Sequence, residues 1–258
     1  CTRFAFTGKH TTGRYYSYEA IVRPTLWYAT RGSDIKVFQS KNVPDIIKEV
    51  LGKYPIDLDL SGLTASYRAW DYCAQYRETD FNFVSRLMEH EGIYYYFKHA
   101  NGSHTLCLAD SMSVHPSCPV TSSIPFYAPD STYSDDAKDH FNQWLVTNAV
   151  DPGVFVTDEY DFKKPKADLS LNKNKTRGHS NASYEIYDFP GGYTELGDGE
   201  HYAQMRMDAL QSGHELVSGM GHVRNAALGH TFSLTNHKRG DQNREYLITA
   251  LDYSAQDN

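Results

Sequence analysis

The residues most able to do chemistry are His90-Glu91, two carboxylate clusters and a few glycine-rich turns. A His-Glu pair suits zinc hydrolysis when a second histidine follows on the same helix face, so that both rings reach one ion. Tyr94 occupies that place, and the metal reading yields to one in which Glu89 and Glu91 pair with cations such as Arg77, Arg86 or Lys98, or with a neighbouring subunit. Gly191-Gly192 and Gly219-Met220-Gly221-His222 share only glycine content with phosphate loops. Neither opens a helix after a strand with a third glycine or a Lys-Ser/Thr. No Gly-x-Ser-x-Gly elbow occurs, which removes the serine-hydrolase template. Asp135-Asp136 and Asp158-Glu159-Tyr160-Asp161 are rich in carboxylates, but sequence does not set the separation a glycosidase pair requires. The second cluster reads as a polar strand edge or an interface rim. Cys1, Cys73, Cys107 and Cys118 form no CxxC pair, so scattered reduced thiols are expected in place of zinc or disulfides. The expectation is a chain with no catalytic residue, no cofactor and no metal.

The element carrying His90 is clearly written. Phe81, Val84, Leu87 and Met88 fall three or four apart, the spacing of one helix face. Thr79 can cap the start with its hydroxyl, and Gly92 can end the helix left-handed. Ile93-Tyr94-Tyr95-Tyr96-Phe97 then reads as a strand. Glu89 and Glu91 sit at the helix C-terminus, where the macrodipole disfavours anions by roughly 0.3–1 kcal/mol each. They are therefore expected to be offset by an Arg or Lys of the same or an adjacent chain, which makes them candidate interface residues.

Bulk properties narrow the class. The 258 residues, with 40% hydrophobic and 22% charged content, suffice for one large folded unit or two smaller ones. Aromatics reach 14%, including 20 tyrosines, which suits strands and protein interfaces. A net charge of -7 argues against nucleic acid, and Lys163-Lys164-Pro165-Lys166 reads as a solvated turn. No apolar run is long enough to predict a membrane span. The opening Cys1-Thr2-Arg3-Phe4, without methionine, reads as a piece cut from a longer chain.

Further along, alternation from Phe4 to about Tyr28 predicts a hairpin, and Ile35–Phe38 a short strand. Asn42 or Val43, Pro44, then Ile46, Ile47, Val50 and Leu51, with Gly52 as the stop, predict a first helix. Tyr67 to Tyr76 reads as extended, and Asn101-Gly102 as a tight turn folding Ile93–Phe97 onto Thr105–Leu108. Ser111 to about Asp139 reads as a connector. Strands are expected at Gln143–Thr147 and Val154–Phe162, a polar stretch over Asn172 to Asn181, a turn at Phe189–Gly192, and a helix near Gly199–Ser212. More strands follow at Glu215–Val217, Phe232/Leu234 and Tyr246–Leu251. Strands around a few helices, without βαβ regularity, predict an α+β, β-rich antiparallel fold or barrel modules.

Tyr76 to Phe97, with Thr79-Asp80-Phe81-Asn82-Phe83, Leu87 and Glu89-His90-Glu91-Gly92 at its centre, closely resembles the signature of the VgrG family of type VI secretion spikes. Other segments match the family in order: Phe38 to Ile47; Glu159-Tyr160-Asp161-Phe162-Lys163-Lys164-Pro165; Tyr187 to Tyr193 around Gly191; Arg224 with Gly229 and Phe232; and Asn243 to Leu247 around Tyr246. The match spans nearly the whole chain except the Ser111–Asp139 stretch. The resemblance implies a hub similar to phage baseplate hubs and late control protein D, with two related antiparallel β-barrels and inserted α/β segments. Residues 1–36 would be the remainder of a truncated first barrel, 37–110 the inserted α/β unit, 111–139 the connector, and 140–258 the second barrel with its helix near 199–212. The resemblance further implies a homotrimer seated on the hexameric tube protein Hcp, a C-terminal needle with effector domains, assembly in the bacterial cytoplasm, then translocation through the apparatus. Hubs of a contractile phage or tailocin share the fold and form the alternative; a cell-wall hydrolase is the reading from a different class.

Overall fold

The computed structural model describes residues 1–9, 11, 13–129 and 138–254; Asp135 and Asp136 lie outside the described residues. The first alternating segment forms the expected hairpin, β1 (Arg3–Lys9) against β2 (Tyr16–Ile21), with Phe6 opposite Tyr18. After it the chain makes a 3-10 turn over Thr25–Thr30, not a continued strand. β3 (Ser33–Phe38) leads into α1 (Val43–Leu51), where the Asn42 side chain accepts from the Asp45 amide at 2.9 Å and Pro44 occupies the first turn.

A strand that alternation did not reveal, β4 (Asp57–Gly62), follows. β5 (Cys73–Thr79) pairs antiparallel with β3, and its last residue caps α2 (Asp80–Glu91). β6 (Tyr94–Ala100) and β7 (Ser103–Ala109) form the hairpin across Asn101-Gly102, and β4 adds to β7 in parallel. The apolar stripes of α1 and α2 meet here. Ile46, Ile47, Val50, Phe83, Val84 and Leu87 are fully buried with Leu106 and Leu108 from β7, and Phe38 stacks on Phe83 at 5.5 Å.

Part of the Ser111–Asp139 stretch, expected as connector, contributes to a second core. β8 (Ser123–Pro125) buries Ile124 completely, and Cys118 is buried beside it. β9 (His140–Asn148) is followed by β10 (Val154–Thr157), β11 (Leu171–Asn174) and β12 (Glu185–Asp188). β10 stops short of the expected Phe162 because three carboxylates turn back on the chain: Asp158 accepts from the Glu159 amide, Glu159 from Tyr160, and Asp161 from Lys163. β11 occupies part of a stretch read as merely polar. α3 (Leu196–Gln211) starts earlier than predicted, and β13 (Glu215–His222), β14 (Thr231–Thr235) and β15 (Glu245–Leu247) close the order.

Among the described residues the strands form six sheets of two or three. β9 pairs antiparallel with β13; β10 lies between antiparallel β11 and parallel β12, and β14 between antiparallel β15 and parallel β8. Phe232 and Leu234 of β14 pack with Ile124, Phe141 and Trp144, while Ala203 and Met207 of α3 cover Phe155 of β10. The fold is β-rich, with three α-helices among the described residues. Gly219 and Gly221 lie within β13, where a Cβ would strike the Phe141 and Trp144 rings or the His140 backbone; their role is close packing, not phosphate binding.

Candidate functional site

The signature segment builds the inside of the molecule more than its surface. Thr79 accepts the Asn82 amide at 3.1 Å. Asp80, buried at the first turn of α2, gathers Tyr54 Oη at 2.7 Å, Gln75 Nε2 at 2.7 Å and Lys53 Nζ at 3.2 Å. Burial, then the bond to Asp80, pushes the Tyr54 hydroxyl up to about 12. Phe81 packs at the margin of the first core, Phe83 and Leu87 in its centre. Gly92 closes α2 in the left-handed region at φ 73°, with Met205 of α3 so close that a Cβ would strike its sulfur.

Glu91 answers the charge puzzle at the end of α2. It is 2% exposed and accepts from Trp70 Nε1 at 3.1 Å and from Tyr202 Oη of α3 at 3.3 Å. Its expected place at an interface is thus corrected: the carboxylate faces the chain's own interior. Burial raises its pKa, and the two bonds and nearby Arg68 oppose the rise. Glu89 is exposed and meets Arg206 Nη1 of α3 at 3.4 Å. The expected cation is present within the chain for Glu89, and it is none of the three named from sequence.

Around Glu91 lies a polar joint between α2, α3 and the segment before β5. Arg68 donates to Tyr202 Oη and to the Gly192 carbonyl, both at 2.6 Å, and lies 3.9 Å from Asp198. His90 packs on Tyr202 at 4.3 Å and edge-on to Trp70 at 5.1 Å. Burial first, then Arg206, Arg68 and Arg86, lowers the His90 pKa to about 4, so the imidazole is neutral at pH 7. A second seam joins β6 to the C-terminal part: His115 Nδ1 lies 2.8 Å from the Gly229 carbonyl and Nε2 2.8 Å from Tyr94 Oη. A carbonyl only accepts, so Nδ1 carries a proton toward Gly229, while the Tyr94 hydroxyl lies between His115 Nε2 and the Ser111 carbonyl, 3.0 Å away.

The other signature residues divide between turns and surface. Asp161 is buried while Tyr160, Phe162 and Pro165 are exposed. Tyr160, Asp161 and Phe162, with Arg68 and Gly192, line a shallow depression of about 250 Å³. Gly191 leaves no room for a Cβ against the Tyr193 ring and Thr157. Arg224 approaches Asp139 at 3.8 Å, and Tyr246 packs on Trp144 at 5.1 Å while donating to the Gln242 carbonyl. Among the described residues no three His, Cys, Asp or Glu side chains come together as metal ligands, and no helix is long and apolar enough to cross a membrane.

What sequence reasoning missed is how much apolar strand surface stays uncovered. Phe4, Phe6, Tyr16 and Tyr18 share one face of the β1–β2 hairpin, with Phe4 68% exposed and stacked on Tyr18 at 5.4 Å. Ile35, Val37 and Tyr76 stand out from the β3–β5 sheet. On the β9–β13 ribbon Leu145, Leu216 and Met220 point away from Trp144, each about 60% exposed.

Among the described residues, three helices set among short sheets, with open apolar strand faces, make a β-rich scaffold. The whole chain, residues 1–258, matches the family described as phage tail baseplate hub (GPD), and it belongs to that family. It is 44% identical over 241 residues to the type VI secretion system spike proteins VgrG1b and VgrG1a of Pseudomonas aeruginosa, matching 93% of this chain and 32% and 37% of theirs. It is 26% identical over 240 residues to the actin cross-linking toxin VgrG1 of Vibrio cholerae, matching 22% of that protein. The chain thus spans about a third of the length of the spike relatives. Its fold is similar to that of the Escherichia coli type VI secretion component c3393, with a TM-score of 0.66 at 17% identity over 96% of this chain and 53% of that one. The 43 kDa tail protein of prophage MuSo2 from Shewanella oneidensis shares it at a TM-score of 0.59 and 9% identity, over 86% of this chain and 65% of that one.

Proposed function

We propose that this chain is the structural hub of a type VI secretion spike, three copies forming a ring seated on the hexameric Hcp tube. The ring assembles in the bacterial cytoplasm and is then propelled through the apparatus with a C-terminal needle and its effectors. The observation that carries this reading is the set of open apolar strand faces on β1–β2, β3–β5 and β9–β13. Isolated two-stranded ribbons are marginal in water, and contiguous apolar surface on this scale marks an interface. Obligate contacts between copies typically bury more than about 2,000 Å², and such faces are suited to supply part of it. Residues 1–36 would complete a first barrel, 37–110 serve as the inserted unit, 111–139 link them, and 140–258 form the second barrel. The 44% identity to spike proteins supports the assignment.

The role is mechanical and non-catalytic: a hub transmits force and matches a threefold point to a sixfold cylinder. The test is amide deuterium exchange on the chain alone and fused to a trimeric needle. Slower exchange at β1–β2 and β9–β13 in the fusion supports the reading, and identical exchange refutes it. The phage or tailocin reading is favoured by the family's description as a phage baseplate hub. Capsid genes beside this one, in place of membrane-complex genes, would select it. Turnover of peptidoglycan by the purified chain would overturn the non-enzymatic assignment in favour of a cell-wall hydrolase.

A further inference from the structure

We propose that His90 and its surroundings form an acid-sensitive latch between α2 and α3, closed while the imidazole is neutral and released when it gains a proton. Three observations place the switch. The ring is wedged between Trp70 and Tyr202, so it sits in the plane along which α3 meets α2. Its Nε2 is buried and makes no hydrogen bond among the described residues, so a proton there would have no acceptor. The charged groups around it are predominantly cationic: Arg86 on its own helix, Arg206 on α3, and Arg68 from the segment before β5, with the His201 side chain of α3 also nearby. The nearby anions are committed elsewhere. Glu91 is held by Trp70 and Tyr202, Glu89 by Arg206, Asp198 lies by Arg68, and Glu159 accepts from the Gly192 amide.

The sign follows from the direction of the shift. A histidine held near 4 when folded and near 6.5 when unfolded contributes stability that is complete above the unfolded value and is lost as pH falls. Folding then weakens by about 30-fold at pH 5 through this one group, from the ratio of proton uptake in the two states. Glu91 works in the opposite sense, because its raised pKa gives a contribution present at low pH and lost as pH rises through the folded value. Release is therefore driven by the imidazole alone, which adds a cation beside Arg68 and Arg206, while proton uptake by Glu91 favours the closed joint and offsets part of it.

The test compares the wild-type chain with His90→Gln, which keeps a polar side chain of similar reach and takes up no proton in this range. Urea midpoints and amide deuterium uptake, corrected for intrinsic exchange, are measured between about pH 7 and pH 4.5. The expected result is a selective rise in exchange of α3 in the wild type as pH falls, absent in the variant, with wild-type stability falling about 20-fold further between pH 7 and pH 5. Parallel pH curves, or exchange that rises uniformly along the chain, overturn the latch. If His90→Gln does not fold, the imidazole titration of wild-type His90 by NMR decides: a midpoint near 4 supports the latch, and one near 6.5 refutes it.

Discussion

Replacing Asp80 by Asn tests whether the signature aspartate is an internal anchor or merely a first-turn anion. The carboxylate holds three donors: Tyr54 Oη and Gln75 Nε2, each at 2.7 Å, and Lys53 Nζ at 3.2 Å. An asparagine keeps one acceptor oxygen and presents an N–H₂ to a donor. One hydrogen bond to a charged group, worth about 1.5–3 kcal/mol, is lost inside the core. Lys53 is partly exposed and returns to water, so its share is only about 0–1 kcal/mol. The expected loss is about 1.5–4 kcal/mol, read from urea midpoints with Trp70 reporting the first core and Trp144 the second. A helix-dipole role alone gives no more than about 1 kcal/mol, so a loss below that refutes the anchor. Asp80→Asn and Tyr54→Phe should also couple by about 0.5–3 kcal/mol; strictly additive effects contradict the geometry. The Tyr54 hydroxyl, freed of its anion, should ionise at lower pH than in the wild type.

Gly92→Ala should cost about 1–2 kcal/mol for the left-handed backbone, with a further loss from contact with Met205; Met205→Ala in the same chain should recover the second part only, in thermal melts. Glu49, held near 2 by the bonds from Lys36 and Lys41, contributes stability present above its unfolded value and lost as pH falls through 4.5 toward 2. A Glu49→Gln chain should therefore show a flatter acid limb in pH-dependent melts, by a small margin because the pair is open to solvent. Leu145→Lys with Leu216→Lys should leave the melting of the free chain within about 0.5 kcal/mol while abolishing association with other copies in light scattering.

Legibility from sequence followed the range over which each signal acts. α2 could be read almost to the residue because its cap, its stripe and its glycine stop all lie within Thr79–Gly92. The Asn101-Gly102 hairpin was equally local. β8 escaped because a three-residue strand is made by its parallel partner, β14, more than a hundred residues away. The charge puzzle at the end of α2 split the same way. Local helix electrostatics required that Glu89 and Glu91 be compensated. The compensating groups, Trp70, Tyr202 and Arg206, come from elsewhere in the chain, so nothing nearby identified them. The exposed faces of β1–β2 and β9–β13 were visible as strands, yet their outward apolar residues read equally well as core.

End-on electron microscopy of the chain fused to a trimeric needle and mixed with Hcp tubes tests the hub assignment most directly. The account predicts a threefold ring with six-lobed density capping the tube. Particles with single, splayed chains around the needle and bare tube ends would contradict it.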